Sequence, residues 1–173
     1  MWPTYQIGSP DSLHALGAVS VNFANFERSL TWVFAAVSKL SEDAARSKHA
    51  RIGTSKCVDE IERLSLERAW VDPPLDLVSH FVAAARLLVA NRNLLMHSVV
   101  VHAVNDGHTL YRTSWRGDRE VLHATVGQIR EVADDLYSYF NFALALASCI
   151  AVKVDGVDRQ AGMIVFPDWP QVQ

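Results

Sequence analysis

Three residues combine types and spacing suited to chemistry: Arg92, Asn93 and His97, within Asn91-Arg92-Asn93-Leu94-Leu95-Met96-His97-Ser98. Asn93 and His97 are four residues apart, so a helix sets both on one face. Arg92 precedes His97 by five residues, about 140° of arc on an ideal helix. Its long arm reaches toward the other two, but the offset favours a site shared between two copies over a compact one in a single chain. The set suits phosphodiester chemistry: a guanidinium fork binds phosphate and steadies its transition-state charge, an imidazole moves a proton near neutral pH, and an amide orients either. The alternative is structural. Arg92 and Asn93 then form an exposed pair, and His97 caps the last carbonyls of its helix, where a cation is favoured.

The elements that position these residues follow from apolar periodicity. Ser9-Pro10-Asp11 starts a helix, and Leu13, Leu16, Val19, Phe23, Phe26, Leu30, Val33, Val37 and Leu40 trace the stripe of one long amphipathic helix. Ser41-Glu42-Asp43 caps a short helix, and Gly53-Thr54-Ser55 breaks it and caps the next. That second main helix carries Cys57, Val58, Ile61, Leu64 and Ala69 and ends near Trp70. Asp72-Pro73-Pro74 opens a third, with Leu75, Val78, Phe81, Val82, Ala85, Leu88, Val89 and Leu95 on its apolar face and the Arg-Asn-x-x-x-His run near its end. The period then changes: Val99 to Val104, the turn Asn105-Asp106-Gly107, and Thr109 to Trp115 predict a β-hairpin. After the turn-like Arg116-Gly117-Asp118, Thr125-Val126-Gly127-Gln128 fits a capping box for a fourth helix running through Ile150. Residues 155–173 read as a tail whose Phe166 and Trp169 are expected to dock on the bundle or a partner.

Half of the 173 residues are apolar, enough for one sizeable core. Net charge is -3, which argues against the broad cationic face that holds extended duplex DNA or an anionic membrane. The start lacks a basic then apolar leader, and the most apolar segments, Leu30 to Leu40 and Phe140 to Val154, are interrupted and too short for a bilayer. A cytoplasmic protein is expected. Cys57 and Cys149 sit in apolar helical stretches and read as inert buried thiols. His102, His108 and His123 surround the hairpin without a pairing such as H-E-x-x-H, so no metal or other cofactor is expected. Asp134-Asp135 and Glu60-x-Glu62 read as solvated helix faces.

With its Arg, following polar residue and His late on a core helix, the chain resembles the HEPN superfamily of small α-helical domains, many of them metal-independent RNases. The order of two helices, motif helix, excursion and final helix is also similar. The bare spacing recurs at Arg116 to His123, so the resemblance rests on Asn93 and the helical context. It implies a homodimer with two motifs facing one cleft, and attack of an RNA 2′-hydroxyl on the adjacent phosphate, with His97 moving the proton and Arg92 steadying the phosphoryl group. A polar residue of the first helix, from Asn22, Asn25 and Glu27, would orient Arg92 as in similar domains.

The sequence therefore predicts one mainly α domain, a helical bundle with one β-hairpin inserted between the third and fourth main helices. Arg92, His97 and Asn93 are the candidate catalytic residues, and Asn91, Ser98, Asn25 and Glu27 the candidate binding residues. The expected function is a homodimeric, metal-independent endoribonuclease acting on RNA, within a toxin or defence system with an antitoxin-like partner. The alternative is a non-catalytic nucleotide-binding or dimerisation module.

Overall fold

The computed structural model describes residues 9–67, 74–104, 107–113 and 119–154. Five helices and three strands follow in the order α1 (Pro10–Ser38), α2 (Glu42–Ile52), α3 (Thr54–Glu67), α4 (Pro74–His97), β1 (Val99–Val104), β2 (Gly107–Thr113), β3 (Arg119–Thr125) and α5 (Val126–Val154). The fold is mainly α with a small antiparallel sheet between α4 and α5, as the periodicity predicts. No helix among the described residues is long and apolar enough to cross a membrane.

Local chemistry fixes the helix ends. Ser9 and Ser41 accept from the amides of Ser12 and Ala44, at 3.2 and 3.3 Å, before α1 and α2. The capping box of α5 is closed in both directions: Thr125 Oγ1 accepts from Gln128 N at 3.1 Å and Gln128 Oε1 from Thr125 N at 2.9 Å. Gly53, at φ 82° and ψ 164°, turns the chain between α2 and α3 in a conformation that side chains disfavour.

Side-chain pairings set the helix directions. Asp11 faces Arg130 at 3.7 Å, Asn22 Nδ2 donates to the Ala133 carbonyl at 2.8 Å, and Trp32, Ala36 and Lys39 share a groove with Ala147, Ser148 and Ala151. Both numberings rise together, so α1 and α5 run parallel. α4 runs against them, with Met96 beside Ser20, Phe81 beside Phe26 and His80 on Tyr139. Phe26, Leu30, Phe34, Phe81, Leu88, Leu136, Tyr139 and Leu146 are fully buried in this core, where truncating one such aromatic to Ala costs about 3–5 kcal/mol.

The sheet departs from the expected single hairpin. It is a three-stranded antiparallel meander, β1-β2-β3, because Arg119–Thr125 pairs along β2 from Gly107↔Thr125 to Thr113↔Arg119. Along β3 from Val121, Leu122 is half-buried and Ala124 buried, while Val121 and His123 are exposed. That alternation is weak, and Ala has little preference for strands. Buried His108 ties β2 to the start of α1 through a 2.6 Å bond from its Nε2 to Ser12 Oγ.

Cys57 is buried and Cys149 partly so. Burial pushes the Cys57 thiol up to about 12, which keeps it protonated and unreactive at neutral pH. The expected turns at Asn105-Asp106 and Arg116-Gly117-Asp118, the helix end near Trp70 and the tail with Phe166 and Trp169 lie outside the described residues.

Two imidazoles make stability depend on pH. Burial holds His80 and His49 below the ordinary value of 6.5, in His49 against a smaller upward pull from the Glu27 carboxylate. On acidification the unfolded chain takes up these protons near 6.5, before the folded chain does, so stability is full above that pH and falls as pH drops through it. Thermal unfolding at pH 5.5 should therefore show a lower midpoint than at 7.5, and His80 should titrate below 6.5 by NMR. An equal or higher midpoint at pH 5.5 contradicts this.

Candidate functional site

α4 carries the Arg-Asn-x-x-x-His run in its last two turns and ends on His97. Arg92 and Asn93 are half-buried and His97 is exposed. Arg92 Nη1 donates to Asn93 Oδ1 at 3.0 Å and lies 3.3 Å from His97 Nε2. The guanidinium can only donate, so the contact is a hydrogen bond in the tautomer that carries its proton on Nδ1 and a lone pair on Nε2. All three side chains thus meet within one chain. The 140° offset between Cα positions is absorbed by the reach of the arginine arm, and it gives no reason for a composite site. The aromatic residues Phe34, Tyr139 and Phe142 are covered inside the chain and Trp32 is half-buried, so they give no reason for a second buried face either.

α1 supplies the floor under Arg92. The guanidinium carbon sits 4.4 Å from the centroid of the Phe23 ring, itself buried in the core. A cation over an aromatic face gains about 0.5–2 kcal/mol, more as water is excluded. The buried Nε has no hydrogen-bond partner among the described residues, so the ring face is its main compensation. Arg92 also has no carboxylate partner among the described residues, in contrast to Arg46, Arg63, Arg86 and Arg130. Its charge remains available to an anion.

The other sequence candidates go elsewhere. Glu27 accepts from the Thr54 hydroxyl, Asn22 bonds the Ala133 carbonyl, and Asn25 is exposed. None of the three orients Arg92, and the aromatic Phe23 stands where a polar residue was expected. Asn91 is buried against Leu110, Leu122 and Ala124 on the sheet side. The Ser98 hydroxyl donates to the Leu94 carbonyl, which supplies the helix-end bond expected of His97. His97 itself turns to Arg92. Phe23 escapes a sequence reading because it continues the core stripe of α1, and only the antiparallel approach of α4 brings Arg92 over it.

Among the described residues no group of three or more His, Cys, Asp or Glu is arranged to hold a metal ion. The assembled chemistry is an imidazole beside a guanidinium with no carboxylate partner among the described residues, at an exposed helix end next to the exposed apolar side chain of Met96.

The stacking of Arg92 on Phe23 is open to direct observation. In NMR spectra of the arginine side chains, the Arg92 Nε–H should be displaced by the ring current of Phe23 and should join the solvent-exposed arginines in Phe23→Leu. A wild-type Arg92 signal already among the exposed arginines would refute the placement.

No family model matches the chain, and neither a curated protein nor a solved structure matches it.

Proposed function

We propose that this chain is a HEPN-type, metal-independent endoribonuclease working as a homodimer, with Arg92 and His97 as its catalytic pair and Asn93 as the residue that orients Arg92. The observation that carries the reading is the 3.3 Å approach of Arg92 Nη1 to His97 Nε2 with no carboxylate among the described residues to neutralise the arginine. An anionic phosphate is the natural third party to such a pair.

In this reading the RNA phosphate enters beside Arg92, whose guanidinium binds the non-bridging oxygens. The lone pair of His97 Nε2 takes the proton of the neighbouring 2′-hydroxyl as that oxygen attacks phosphorus. The bond to the 5′-oxygen breaks, and the leaving oxygen takes a proton from solvent. Charge on the pentavalent phosphoryl group is met by Arg92, which Asn93 and Phe23 hold in place. The products carry 2′,3′-cyclic phosphate and 5′-hydroxyl ends. Exposed Met96, next to His97 on α4, offers an apolar contact for a second copy there.

Cleavage of single-stranded RNA in the presence of a chelator tests the chemistry. Arg92→Ala and His97→Ala should each lower the rate at least about a hundredfold with folding intact, and Asn93→Ala less. RNA left whole under all conditions, with nucleotide still bound, would replace the enzyme with a binding module. An unchanged rate in His97→Ala would remove His97 from the mechanism. The assembly has its own test: light scattering should give twice 19.2 kDa, and a monomer that cleaves RNA would show that one chain suffices.

A further inference from the structure

A second polar cleft lies away from Arg92, where one face of α2 meets one face of α1. It is open to solvent, holds about 580 Å³ and is lined by Glu27, Arg28, Thr31 and Trp32 of α1, Glu42, Arg46, His49 and Ala50 of α2, and the Gly53-Thr54 turn. Along α1, Glu27 and Thr31 lie about 6 and 12 Å beyond Phe23, and Phe23, Arg92, Asn93 and His97 are not among the residues lining the cleft. Its size is that of small-molecule sites, roughly 300–1,000 Å³.

His49 is 8 % exposed, and its Nδ1 lies 2.7 Å from Thr31 Oγ1. The Thr31 hydroxyl donates to the Glu27 carbonyl at 3.1 Å, so His49 Nδ1 is the donor to Thr31 and Nε2 carries a lone pair. That Nε2 has no partner among the described residues. Glu27 accepts from Thr54 with Oε1, and its Oε2 has no partner among them either. A nearly buried acceptor imidazole beside a half-committed carboxylate suits a ligand's ammonium group.

The lining also carries the opposite sign. Glu27 and Glu42 are matched by Arg28 and Arg46, so the cleft has no net formal charge and favours neither a polycation nor a polyanion. Arg28 rests over the Trp32 ring at 5.1 Å, and among the described residues Arg46 pairs with exposed Asp43 on its own helix. Arg46 and His49 are three residues apart, about 4.5 Å along α2, and Glu42 lies a turn before Arg46. The two charges of one α-amino acid are separated by only two bonds of about 1.5 Å, whereas two extended residues span about 7 Å. Trp32 and Ala50 give apolar surface for a side chain.

We propose that this cleft is a binding site for a small zwitterion of dipeptide size, its ammonium on Glu27 and His49, its carboxylate on Arg46 and Arg28, and its side chain against Trp32. The test is calorimetry on the full chain with L-alanyl-L-leucine, its N-acetyl and C-amide forms, 1,4-diaminobutane and succinate, with the His49 ring followed by NMR. The free dipeptide should bind and shift His49, and either blocked form should bind at least about tenfold more weakly, the scale of one lost charge-assisted bond. Arg46→Ala, an exposed position that leaves the core untouched, should weaken binding about fivefold or more. Equal binding of free and blocked dipeptides, equal binding of the diamine or diacid, or no heat and no His49 shift up to about 10 mM dipeptide would each overturn the assignment.

Discussion

The parallel pairing of α1 and α5 is the constraint on which the rest of the structure depends. Two helices of 29 residues each, about 43 Å long, bury Val19, Phe26, Leu30 and Phe34 with Leu136, Tyr139, Ala143 and Leu146 in one core. Parallel neighbours cannot be joined by a tight turn, so everything between them must return the chain to the end where α1 began. α4 makes the return run, and the sheet bridges its end to the start of α5. The Arg-Asn-x-x-x-His run is therefore delivered beside the first half of α1, at an exposed helix end on a rigid base. His108 bonded to Ser12 fastens the sheet to the same end of the bundle.

Much of this was legible in the sequence, for local reasons. The stripe from Leu13 to Leu40, the serine caps at Ser9 and Ser41, the break at Gly53 and the capping box at Thr125 each depend on residues within a few positions of one another. The third strand was not legible, since its burial rests on Leu122 and Ala124 and its pairing on the register of β2. Interactions between distant segments were the least readable. Geometry on a helical wheel separates Arg92 from His97, yet the arginine side chain is long enough to close the gap, and no local pattern says that it will. Polar residues of α1 were expected to hold Arg92, but Asn22 and Glu27 are drawn to Ala133 and Thr54 by the packing of α5 and α3. Phe23 serves two roles, packing beside Phe26 in the core and lying under a guanidinium.

α1 is thus a shared wall for two polar regions that differ in electrostatics. At Phe23 it supports a cation with no carboxylate partner among the described residues. One to two turns on, Glu27, Arg28 and Thr31 face α2 in a setting where both signs balance. The aromatic residues Phe23 and Trp32 hold an arginine in each region, which orders a flexible side chain without neutralising it. An ion pair would order it equally well but would leave less charge for a ligand.

The central claim is that Arg92 and His97 of one chain form a joint receptor for a phosphate group. Its most direct test is to follow the ring nitrogens of His97 and the side chain of Arg92 by NMR during addition of a dinucleotide lacking the 2′-hydroxyl, which can bind but cannot be cleaved by this route. Both side chains should shift together and saturate, while the exposed imidazoles of His14 and His123 stay in place. If His97 does not respond, or moves only in step with His14 and His123, the pair is no phosphate site and the account is wrong.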